Sequence, residues 1–472
     1  SVKPSTYRGI IVDAGSGGSR LHVYQWEPRI FNTSPPPLSY PKSNEQWTSR
    51  IGPGVANFAD NLPALSNHLK PLIDFAKDTL IDEKDNYDEI PIYFYATGGV
   101  RLLNTQKRDA VIDAVRDLLR NESFCPFFFH PHFARVISGE EEAIFSWAAT
   151  NFLMGTLLPA SSGSGIVMNA TTHGTIDLGG ASTQIAYYLP SQDILEGLYK
   201  FQIGNHKIWN VYTKSFLSFG VVSARQRHIT DFVDKFLATQ PAGSLKSLSS
   251  STGSTVSSFS DGNSGGSSSG SHHKDLKAVN YCFYAGYSET AYDSKKKIRI
   301  EVSGPELPQS DQLQLCLEEV RPLMEKKNND FCNKVYHGDC SIAGSYQPPL
   351  PVAEFGKFIG TSSLVVPWKF LQLPATASLE LIRERASSIC QMNFDDIMFY
   401  YEVNFSGDSS SSTIDSLPYF CFLASYVIAL LEDGYSFHSN QTLTVMEQVN
   451  GNRMGWALGA ILYEINEYPY EL

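Results

Sequence analysis

Short apolar runs with the character of strands alternate along this chain with segments that have helical periodicity. Residues 9–12 (GIIV) and 91–95 (PIYFY) have the length and composition of buried strands, whereas residues 65–80 and 111–119 carry apolar side chains at the spacing of a helix face. Another helix is predicted to begin at residue 138 and to continue to residue 153. This alternation, present in both halves of the chain, predicts an α/β fold with mixed sheets.

Two polar stretches interrupt the alternation. Residues 241–275 consist almost entirely of Ser, Gly and Thr, a composition too polar to form a core, and we predict a flexible insertion there. Residues 406–413 form a shorter polar stretch, for which we predict a loop.

The chain also contains a weak internal repeat. Residues 10–24 (IIVDAGSGGSRLHVY) and residues 175–188 (TIDLGGASTQIAYY) each combine an apolar strand, an Asp-x-Gly turn with small and hydroxyl side chains, and a second strand. Asp13 and Asp177 occupy equivalent places in the two copies, about one domain length apart. The repeat predicts a duplicated fold whose two copies face each other across a cleft.

The two turns have the composition of a phosphate-binding site. Glycine allows backbone N–H groups to approach a ligand closely, and successive N–H groups in such a turn bind an anion. Hydroxyl groups that could add hydrogen bonds belong to Ser16, Ser19, Ser182 and Thr183. An aspartate beside a phosphate is unfavourable unless a cation lies between them, and Mg²⁺ or Ca²⁺ with oxygen ligands meets that need. The alternative, two ordinary hairpin turns with solvated aspartates, is less consistent with two matched copies.

Two glycine-containing segments are further candidates for the cleft. Residues 96–101 (ATGGVR) offer another glycine-rich turn with a hydroxyl and a cation, although Arg101 could simply pair with an acidic residue between domains. Residues 455–460 (GWALGA) indicate a helix packed closely against a phosphate loop or, equally, a tightly packed terminal helix.

An acidic segment at residues 138–142 (SGEEE) is the candidate source of a general base. Ser138 and Glu141 have the spacing of a capping box, and acidic side chains favour a helix N-terminus. Spacing alone therefore favours the capping role for this segment. The capping box does not require Glu142, which could face the cleft and accept a proton from water.

Length, charge and hydropathy limit the class of protein. The 472 residues exceed what one hydrophobic core usually serves, so two domains are expected. A net charge of −12 argues against a partner that is a nucleic-acid polymer, but a cation can still recruit a nucleotide. No run approaches the roughly 20 apolar residues of a membrane span, and residues 420–431 predict a buried helix. The opening SVKP has no signal-peptide pattern, which fits both a secretory protein trimmed of its targeting and anchoring segments and a cytosolic protein.

Cysteine positions and glycosylation sequons favour a secretory route. Cys125 stands alone, while the other six cysteines lie in the second half of the chain, at Cys282, Cys316, Cys332, Cys340, Cys390 and Cys421. Six clustered thiols fit three disulfides formed in an oxidising compartment, with buried reduced thiols as the alternative. Asn-x-Ser/Thr sequons occur at Asn32, Asn121, Asn169, Asn404 and Asn440.

Five segments, in this order, resemble the apyrase-conserved regions of the nucleoside triphosphate diphosphohydrolases. They are DAGSGGSR (13–20), ATGGVR (96–101), SGEEEAIFSWAATNFLMG (138–155), DLGGASTQ (177–184) and GWALGA (455–460). Two further segments, EQWTSRIGPGVANF (45–58) and KFIGTSS (357–363), are most similar to the fungal-type Golgi apyrases. The resemblance covers nearly the whole chain except the Ser/Gly-rich insertion, and as a set these segments are highly specific.

The resemblance implies a fold shared with actin, hexokinase and the heat-shock ATPases, in which two RNase H-like domains enclose a nucleotide cleft. On this basis we expect domain I to comprise residues 1–137 and 447–472, and domain II to comprise residues 138–446. It also implies the disulfides Cys282–Cys316, Cys332–Cys340 and Cys390–Cys421, with Cys125 free.

The resemblance further implies a role for each matching residue. Glu142 matches the catalytic base, and Ser182 and Gln184 match residues that hold the attacking water. Asp13 and Asp177 match the pair that anchors a hydrated Mg²⁺ or Ca²⁺, with Mn²⁺ as an alternative, and Trp456 matches a tryptophan near that metal. The phosphate-binding turns are expected to contain Ser16, Gly17, Gly18, Thr97, Gly98, Gly180 and Ala181.

A few positions depart from the family pattern. Ala143 replaces Gly after the base, Gly98 replaces Ala, and Val100 replaces Met. These exchanges are small or apolar, so activity is still expected. Gly18 lacks a side chain that some relatives place near the phosphates, which leaves the order of substrates open.

The expected activity is attack by water on the terminal phosphate of nucleoside di- and triphosphates, including UDP and GDP. The Golgi lumen is the expected location, with secretion or the cell surface as alternatives and a membrane anchor outside this chain. A nucleotide-binding protein without turnover is the first rival, but a mere binder needs no base such as Glu142. A sugar or acetate kinase is the second, and residues 138–143 and 455–460 argue against it.

Overall fold

The computed structural model describes residues 6–29, 31–32, 37–157, 171–190, 193–204, 207–241, 276–293, 295, 298–325, 329–351, 357–405 and 416–467. All but the first residue of the predicted insertion at residues 241–275 lies outside these ranges. The predicted loop at residues 406–413 and the sequon residue Asn169 also lie outside them.

Strands and helices alternate through the described residues. The strands are β1 (Tyr7–Gly15), β2 (Gly18–Trp26), β3 (Thr48–Ile51), β4 (Ile92–Ala96), β5 (Ala134–Val136), β6 (Gly174–Leu178), β7 (Ser182–Tyr188), β8 (Leu198–Phe201), β9 (Trp209–Leu217), β10 (Leu276–Val279), β11 (Ser288–Asp293), β12 (Ile298–Ser303), β13 (Phe358–Ser362), β14 (Thr376–Ser378), β15 (Thr442–Val445), β16 (Gln448–Val449) and β17 (Asn452–Arg453). The helices are α1 (Leu65–Thr79), α2 (Gly98–Arg101), α3 (Thr105–Arg120), α4 (Gly139–Leu153), α5 (Val221–Thr239), α6 (Gln312–Val320), α7 (Asn329–Val335), α8 (Val365–Phe370), α9 (Leu379–Cys390), α10 (Phe394–Phe405), α11 (Phe420–Ala429) and α12 (Trp456–Glu467). The α/β prediction is confirmed.

The first sheet has the strand order β3-β2-β1-β4-β5. Strands β1 and β2 form an antiparallel hairpin, and β4 lies parallel to β1. Side chains alternate between the faces of β1, so Val12 joins a core with α1 and α3 while Ile11 joins a different core on the opposite face. Helix α3 begins earlier than the predicted residue 111, because the side chain of Asn104 accepts a hydrogen bond from the N–H of Lys107 and caps it.

The second sheet has the strand order β14-β15-β13-β6-β7-β9-β8. Strands β6 and β7 form an antiparallel hairpin like that of β1 and β2, and β13 lies parallel to β6. The predicted internal repeat therefore corresponds to two matching hairpins in two sheets.

Helices α4 and α12 pack against each other in the core that contains Ile11. Helix α4 also contacts β6, β7 and β9, and α12 contacts β1. The packing is close, because a Cβ atom at Gly459 would overlap the backbone oxygen of Phe145 in α4. Gly459 of GWALGA thus serves close helix packing, which agrees with the second of the two interpretations of this segment, and a contact with a phosphate loop stays a prediction.

Contacts between Cα atoms divide the chain into two compact units. The first contains Ser1–Ala224, Glu325–Leu381 and Leu431–Leu472, and the second contains Arg225–Met324 and Ile382–Leu430. The first unit includes both sheets described above. This division does not follow the boundaries at residues 137/138 and 446/447, so the two RNase H-like domain limits stay a prediction.

The second unit has its own three-stranded sheet, ordered β10-β12-β11. Its core is built from alternate residues of β12, such as Ile300 and Val302, packed against Val233 and Leu237 of α5. Helix α11 is buried at every position except the partly exposed Leu423, in agreement with the prediction. The stretch Leu417–Gly434 is long and apolar enough to cross a membrane, but 78% of it is buried inside the protein, as in the core helix of a globular domain.

Three disulfides are present among the described residues. They join Cys282 to Cys316, Cys332 to Cys340, and Cys390 to Cys421. These are the pairs that the family resemblance implies. Cys125 is free and buried, and burial raises the pKa of its thiol to about 11.

Candidate active site

Three glycine-containing turns meet in the first unit. A Cβ atom at Gly180 would overlap the Ser16 hydroxyl oxygen, and one at Gly99 would lie 2.7 Å from the Cα atom of Ser16. A Cβ atom at Gly98 would lie 2.8 Å from the hydroxyl oxygen of Ser182. The contact at Gly99 is with backbone, so glycine at that position permits an approach that brings the N–H groups of the turns close together. Such a concentration of donors suits the oxygens of a phosphate.

The remaining residues predicted for these turns lie in the same place. Gly17 and Gly18 complete the turn between β1 and β2, and Ala181 completes the turn between β6 and β7. The N–H of Thr97 donates a hydrogen bond of 3.1 Å to the backbone oxygen of Ala14, which ties the third turn to β1. The structure thus brings together all the residues predicted to bind phosphate.

We expect the substitution Gly99→Ala to reduce activity strongly. The added methyl group would lie 2.7 Å from the Cα atom of Ser16, so the backbones of two turns that hold the same phosphate would have to separate. Misplacement of reacting groups by about 1 Å costs on the order of 10²-fold in rate. Steady-state rates would measure the loss, with circular dichroism as the check on folding. A variant with the rate of the unsubstituted protein would contradict this account of the turns.

Of the two repeat aspartates, Asp177 is buried and Asp13 is partly buried, and the two interact electrostatically. Asp13 lies near the end of β1 and Asp177 near the end of β6. The pKa of Asp13 is raised to about 7, chiefly by loss of solvent and also by the charge of Asp177, against the opposing effect of three arginines, Arg20, Arg50 and Arg453. Burial likewise raises the pKa of Asp177, which hydrogen bonds from the hydroxyls of Ser362 and Ser146 oppose.

Glu142 adds a third carboxylate to the site, and it is buried. It lies in the first turn of α4, where Ser138 and Glu141 form the predicted capping box. The guanidinium Nη2 of Arg101 donates to Oε2 of Glu142 at 2.6 Å. Burial raises the pKa of Glu142 to about 7; Arg101 opposes this rise, while Asp177 and Asp13 add to it. Both functions inferred for the segment are therefore present, with Glu141 in the cap and Glu142 in the site.

Ser182 and Gln184 join Glu142 in a hydrogen-bond network. The Ser182 hydroxyl oxygen accepts from Nη2 of Arg101 at 3.0 Å and from Nε2 of Gln184 at 2.8 Å. Because both neighbours donate to it, the Ser182 hydroxyl is left with its own proton to donate. The amide oxygen of Gln184 is buried and has no hydrogen-bond partner among the described residues. A donor and an acceptor are thus available side by side for a water molecule.

Trp456 lies at the start of α12, buried in the core that α4 and α12 share. Its ring stacks against Tyr95, with 6.4 Å between the ring centroids. These contacts support the indole from one side. Its predicted place near the metal stays a prediction.

The donor atoms of the site suit a hard cation. The pKa values of all three carboxylates are raised although arginines lie nearby, so a further positive charge would stabilise their ionised forms. The unpartnered oxygens of Gln184 and Thr361 are neutral ligands of the kind that Mg²⁺ and Ca²⁺ accept. In the described part of the chain, the three carboxylates do not approach closely enough to ligate one ion together. An ion that keeps several of its waters would fit this spacing.

A separate group of potential ligands lies in the second unit. His228, Cys282 and Glu319 bring their ligand atoms within 4.8 Å of one another, and no other such group occurs among the described residues. The sulfur of Cys282 is bonded to Cys316, so it cannot serve as a thiolate ligand. His228 instead pairs with Glu319 at 3.0 Å.

Sequence reasoning missed several polar residues of the site. Arg101 was expected either as a cation in a glycine-rich turn or as the partner of an unidentified acidic residue between domains, and its partner is the predicted base, Glu142. Ser146 lies four residues after Glu142, on the same face of α4, so helical periodicity could have found it. Ser215 belongs to no recognisable sequence motif, yet its hydroxyl oxygen accepts a hydrogen bond of 3.0 Å from Nε2 of Gln184. Ser362 comes from a strand far along the chain and has no local pattern.

Four of the five sequon asparagines lie among the described residues. Asn32, Asn121, Asn404 and Asn440 are all exposed, which glycan attachment requires. The structure therefore leaves each of these four available for modification, and glycosylation itself stays a prediction.

The comparisons with known proteins identify the family. The chain matches the GDA1/CD39 (nucleoside phosphatase) family over residues 3–471, so it belongs to this family. It is 26% identical to human ectonucleoside triphosphate diphosphohydrolase 4, over 99% of this chain and 74% of the relative. The guanosine-diphosphatase of Schizosaccharomyces pombe is 26% identical, over 98% of this chain and 75% of the relative. The Golgi apyrase of Saccharomyces cerevisiae is 25% identical, over 96% of this chain and 69% of the relative.

A solved structure shows the fold. The nucleoside triphosphate hydrolase of Neospora caninum superposes with a TM-score of 0.56 at 14% identity, over 98% of this chain and 92% of that chain. The predicted family and fold class are confirmed. The chain is a nucleoside phosphatase, and divalent metals are a general requirement of its family.

Proposed function

We propose that this protein hydrolyses nucleoside di- and triphosphates, including UDP and GDP, to the monophosphate and orthophosphate. The observation that carries the proposal is the arrangement around Glu142. A buried carboxylate lies within one network with Ser182 and Gln184, beside three turns whose N–H groups suit a phosphate. A nucleotide binder has no need of a base and a water site at that point.

Each residue of the site has a separate role in the proposed reaction. Ser182 donates to the water and the amide oxygen of Gln184 accepts from it, which fixes its orientation toward the terminal phosphorus. Glu142 accepts the proton as the water attacks in line, a contribution of about 10²–10⁴-fold. The N–H groups of the glycine turns bind the phosphate oxygens. A divalent cation bound near Asp13 and Asp177 would supply charge neutralisation for the phosphates.

Arg101 gives Glu142 the correct starting protonation. A base must be ionised before attack, but burial among Asp13 and Asp177 favours the protonated form of Glu142. The guanidinium of Arg101 opposes this effect at 2.6 Å. It also holds Ser182, so one side chain aligns the base with the water site.

We further propose that the protein acts in the secretory pathway, in the Golgi lumen. Three disulfides and four exposed sequon asparagines support an oxidising, glycosylating compartment. Two relatives are a Golgi apyrase and a guanosine-diphosphatase. Removal of UDP and GDP left by glycosyltransferases is the task that fits this place.

Release of orthophosphate from ATP, ADP, UDP, GDP and AMP tests the proposal. We expect release from the di- and triphosphates with Mg²⁺ or Ca²⁺, none from AMP, and none in EDTA. No organic acceptor is added, so free orthophosphate also excludes a kinase. Bound but intact nucleotide under all conditions would favour a binding protein instead. Hydrolysis of ATP with negligible turnover of UDP and GDP would contradict the Golgi task while leaving the chemistry intact.

A further inference from the structure

The carboxylate of Asp177 is held by hydroxyl groups from two different elements. The Ser146 hydroxyl of α4 donates to Oδ2 of Asp177 at 3.0 Å. The Ser362 hydroxyl, at the end of β13, donates a second hydrogen bond to the same carboxylate. Two donors from separate directions restrict the rotation of the side chain about its bonds. The orientation of Asp177 is therefore set by its neighbours.

The backbone pairing of β13 with β6 brings Ser362 to this position. Thr361 lies in register with Asp177, and Ser362 with Leu178. The N–H of Ser363 then donates to the backbone oxygen of Leu178 at 2.8 Å, which closes the ladder at the strand end. The sheet thus fixes the backbone of Ser362 one residue beyond the pair formed by Thr361 and Asp177.

Ser362 adopts a backbone conformation that serine rarely takes. Its φ is 60°, in the left-handed region where glycine and asparagine are favoured. Seven other described residues that are not glycine share a positive φ, so the conformation alone does not mark a function. What distinguishes Ser362 is that its hydroxyl binds a predicted metal-site carboxylate. Glycine would fit this backbone better but would lack the hydroxyl group.

An unpartnered side chain lies beside this contact. The Thr361 hydroxyl oxygen is buried, with 3% of the residue exposed, and it makes no hydrogen bond among the described residues. Residues in register on neighbouring strands point to the same face of a sheet. The Thr361 hydroxyl is therefore on the face that carries the Asp177 carboxylate. A buried polar group without a partner indicates a water or ligand at that face.

We propose that Ser362 is a positioning residue that orients Asp177 toward a divalent cation. The inference rests on the proposed function, which places that cation near Asp13 and Asp177. Groups that orient metal ligands typically change metal affinity by 10–100-fold when they are removed. The strained serine persists at this position because its hydroxyl serves the metal site.

The substitution Ser362→Gly removes the hydroxyl and suits the left-handed backbone, so the variant is expected to fold. Ser436→Gly is the matched control, because Ser436 is also an exposed serine, with a φ of 61°. Mg²⁺ affinity of the nucleotide-free full chain would be measured by calorimetry. We expect a Kd at least 10-fold higher for Ser362→Gly and no change for Ser436→Gly. The rise in melting temperature on addition of Mg²⁺ should shrink only in Ser362→Gly.

A kinetic readout separates positioning from a general structural effect. In Ser362→Gly, the Mg²⁺ concentration for half-maximal hydrolysis should rise at least 10-fold, whereas kcat at saturating Mg²⁺ should stay close to the normal value. Ser362→Asn tolerates the backbone and retains a donor, so it should recover part of the affinity. Normal Mg²⁺ affinity in Ser362→Gly would overturn the inference and leave the proposed function intact. Failure of the unsubstituted protein to bind Mg²⁺ would overturn the metal site itself.

Discussion

The substitution Glu142→Gln is expected to lower kcat by about 10²–10⁴-fold while the protein remains folded. Glutamine keeps an oxygen that can accept the 2.6 Å hydrogen bond from Arg101, so the guanidinium is not left without a partner. It cannot take a proton from water. Substrate binding should change little, because the glycine turns and the aspartates are untouched.

Glu140→Gln is the matched control for this prediction. Glu140 lies in the same first turn of α4, and its substitution removes the same charge from the same helix terminus. Its rate should stay close to that of the unsubstituted protein. Single-turnover hydrolysis with saturating Mg²⁺ would isolate the chemical step in both variants. A normal rate in Glu142→Gln would remove the role of general base from this residue.

Much of the fold follows from local patterns in the sequence. The predicted strands at residues 9–12 and 91–95 correspond to β1 and β4, and the predicted helices at residues 65–80 and 138–153 correspond to α1 and α4. Period and turn composition determine such elements within a few residues. Helix α4 was recognisable by its cap rather than by an amphipathic face, because it is buried on almost every side.

Those parts of the site that lie within one short sequence motif could be predicted. The two Asp-x-Gly turns could be recognised because each combines a strand, an aspartate and glycines within a few residues. The packing partner of the GWALGA helix could not be predicted, because small residues indicate close packing but do not identify the element against which they pack. Gly459 in fact meets Phe145, more than 300 positions away.

Ser362 illustrates why the rest of the site was beyond sequence reasoning. Its segment, KFIGTSS, supported the family resemblance but carried no sign of a contact with Asp177. That contact depends on the parallel pairing of β13 with β6, which brings together strands from distant parts of the chain. Single-sequence patterns do not encode which strands pair. For the same reason the acidic partner of Arg101 could not be identified from the sequence, since Glu142 lies on another element.

The substitution Asp13→Asn is expected to abolish the increase in activity that divalent metal produces. In EDTA, the same substitution is expected to make the protein more stable at alkaline pH. Loss of the carboxylate removes the charge that anchors the cation, so hydrolysis with Mg²⁺ should fall by at least about 10²-fold, as expected when charge stabilisation is lost. The stability gain has a separate cause. The folded protein without metal must hold the Asp13 carboxylate largely out of water and beside Asp177, and the substitution removes both the desolvation cost and the repulsion.

The sign of the pH effect follows from the pKa of Asp13. Burial raises it from 3.8 to about 7, so the folded state keeps a proton that the unfolded chain releases. In EDTA, this group therefore lowers the stability progressively as the pH rises from about 4 to about 7, by up to about 4 kcal/mol at roughly 1.4 kcal/mol per pH unit. Asp13→Asn should flatten this part of the stability profile.

Urea unfolding in EDTA at pH 5 and pH 8 would measure the effect. Asp60→Asn is the control, because Asp60 is highly exposed and pairs only with Lys107 at the surface, where an ion pair contributes little. The stability difference between the two pH values should shrink in Asp13→Asn and stay normal in Asp60→Asn. An unchanged dependence of stability on pH in Asp13→Asn would show that the pKa of Asp13 is not raised in the folded protein. A flattened profile together with loss of the metal-stimulated activity would assign both properties to one side chain. The same negative charge on Asp13 destabilises the metal-free fold and attracts the cation.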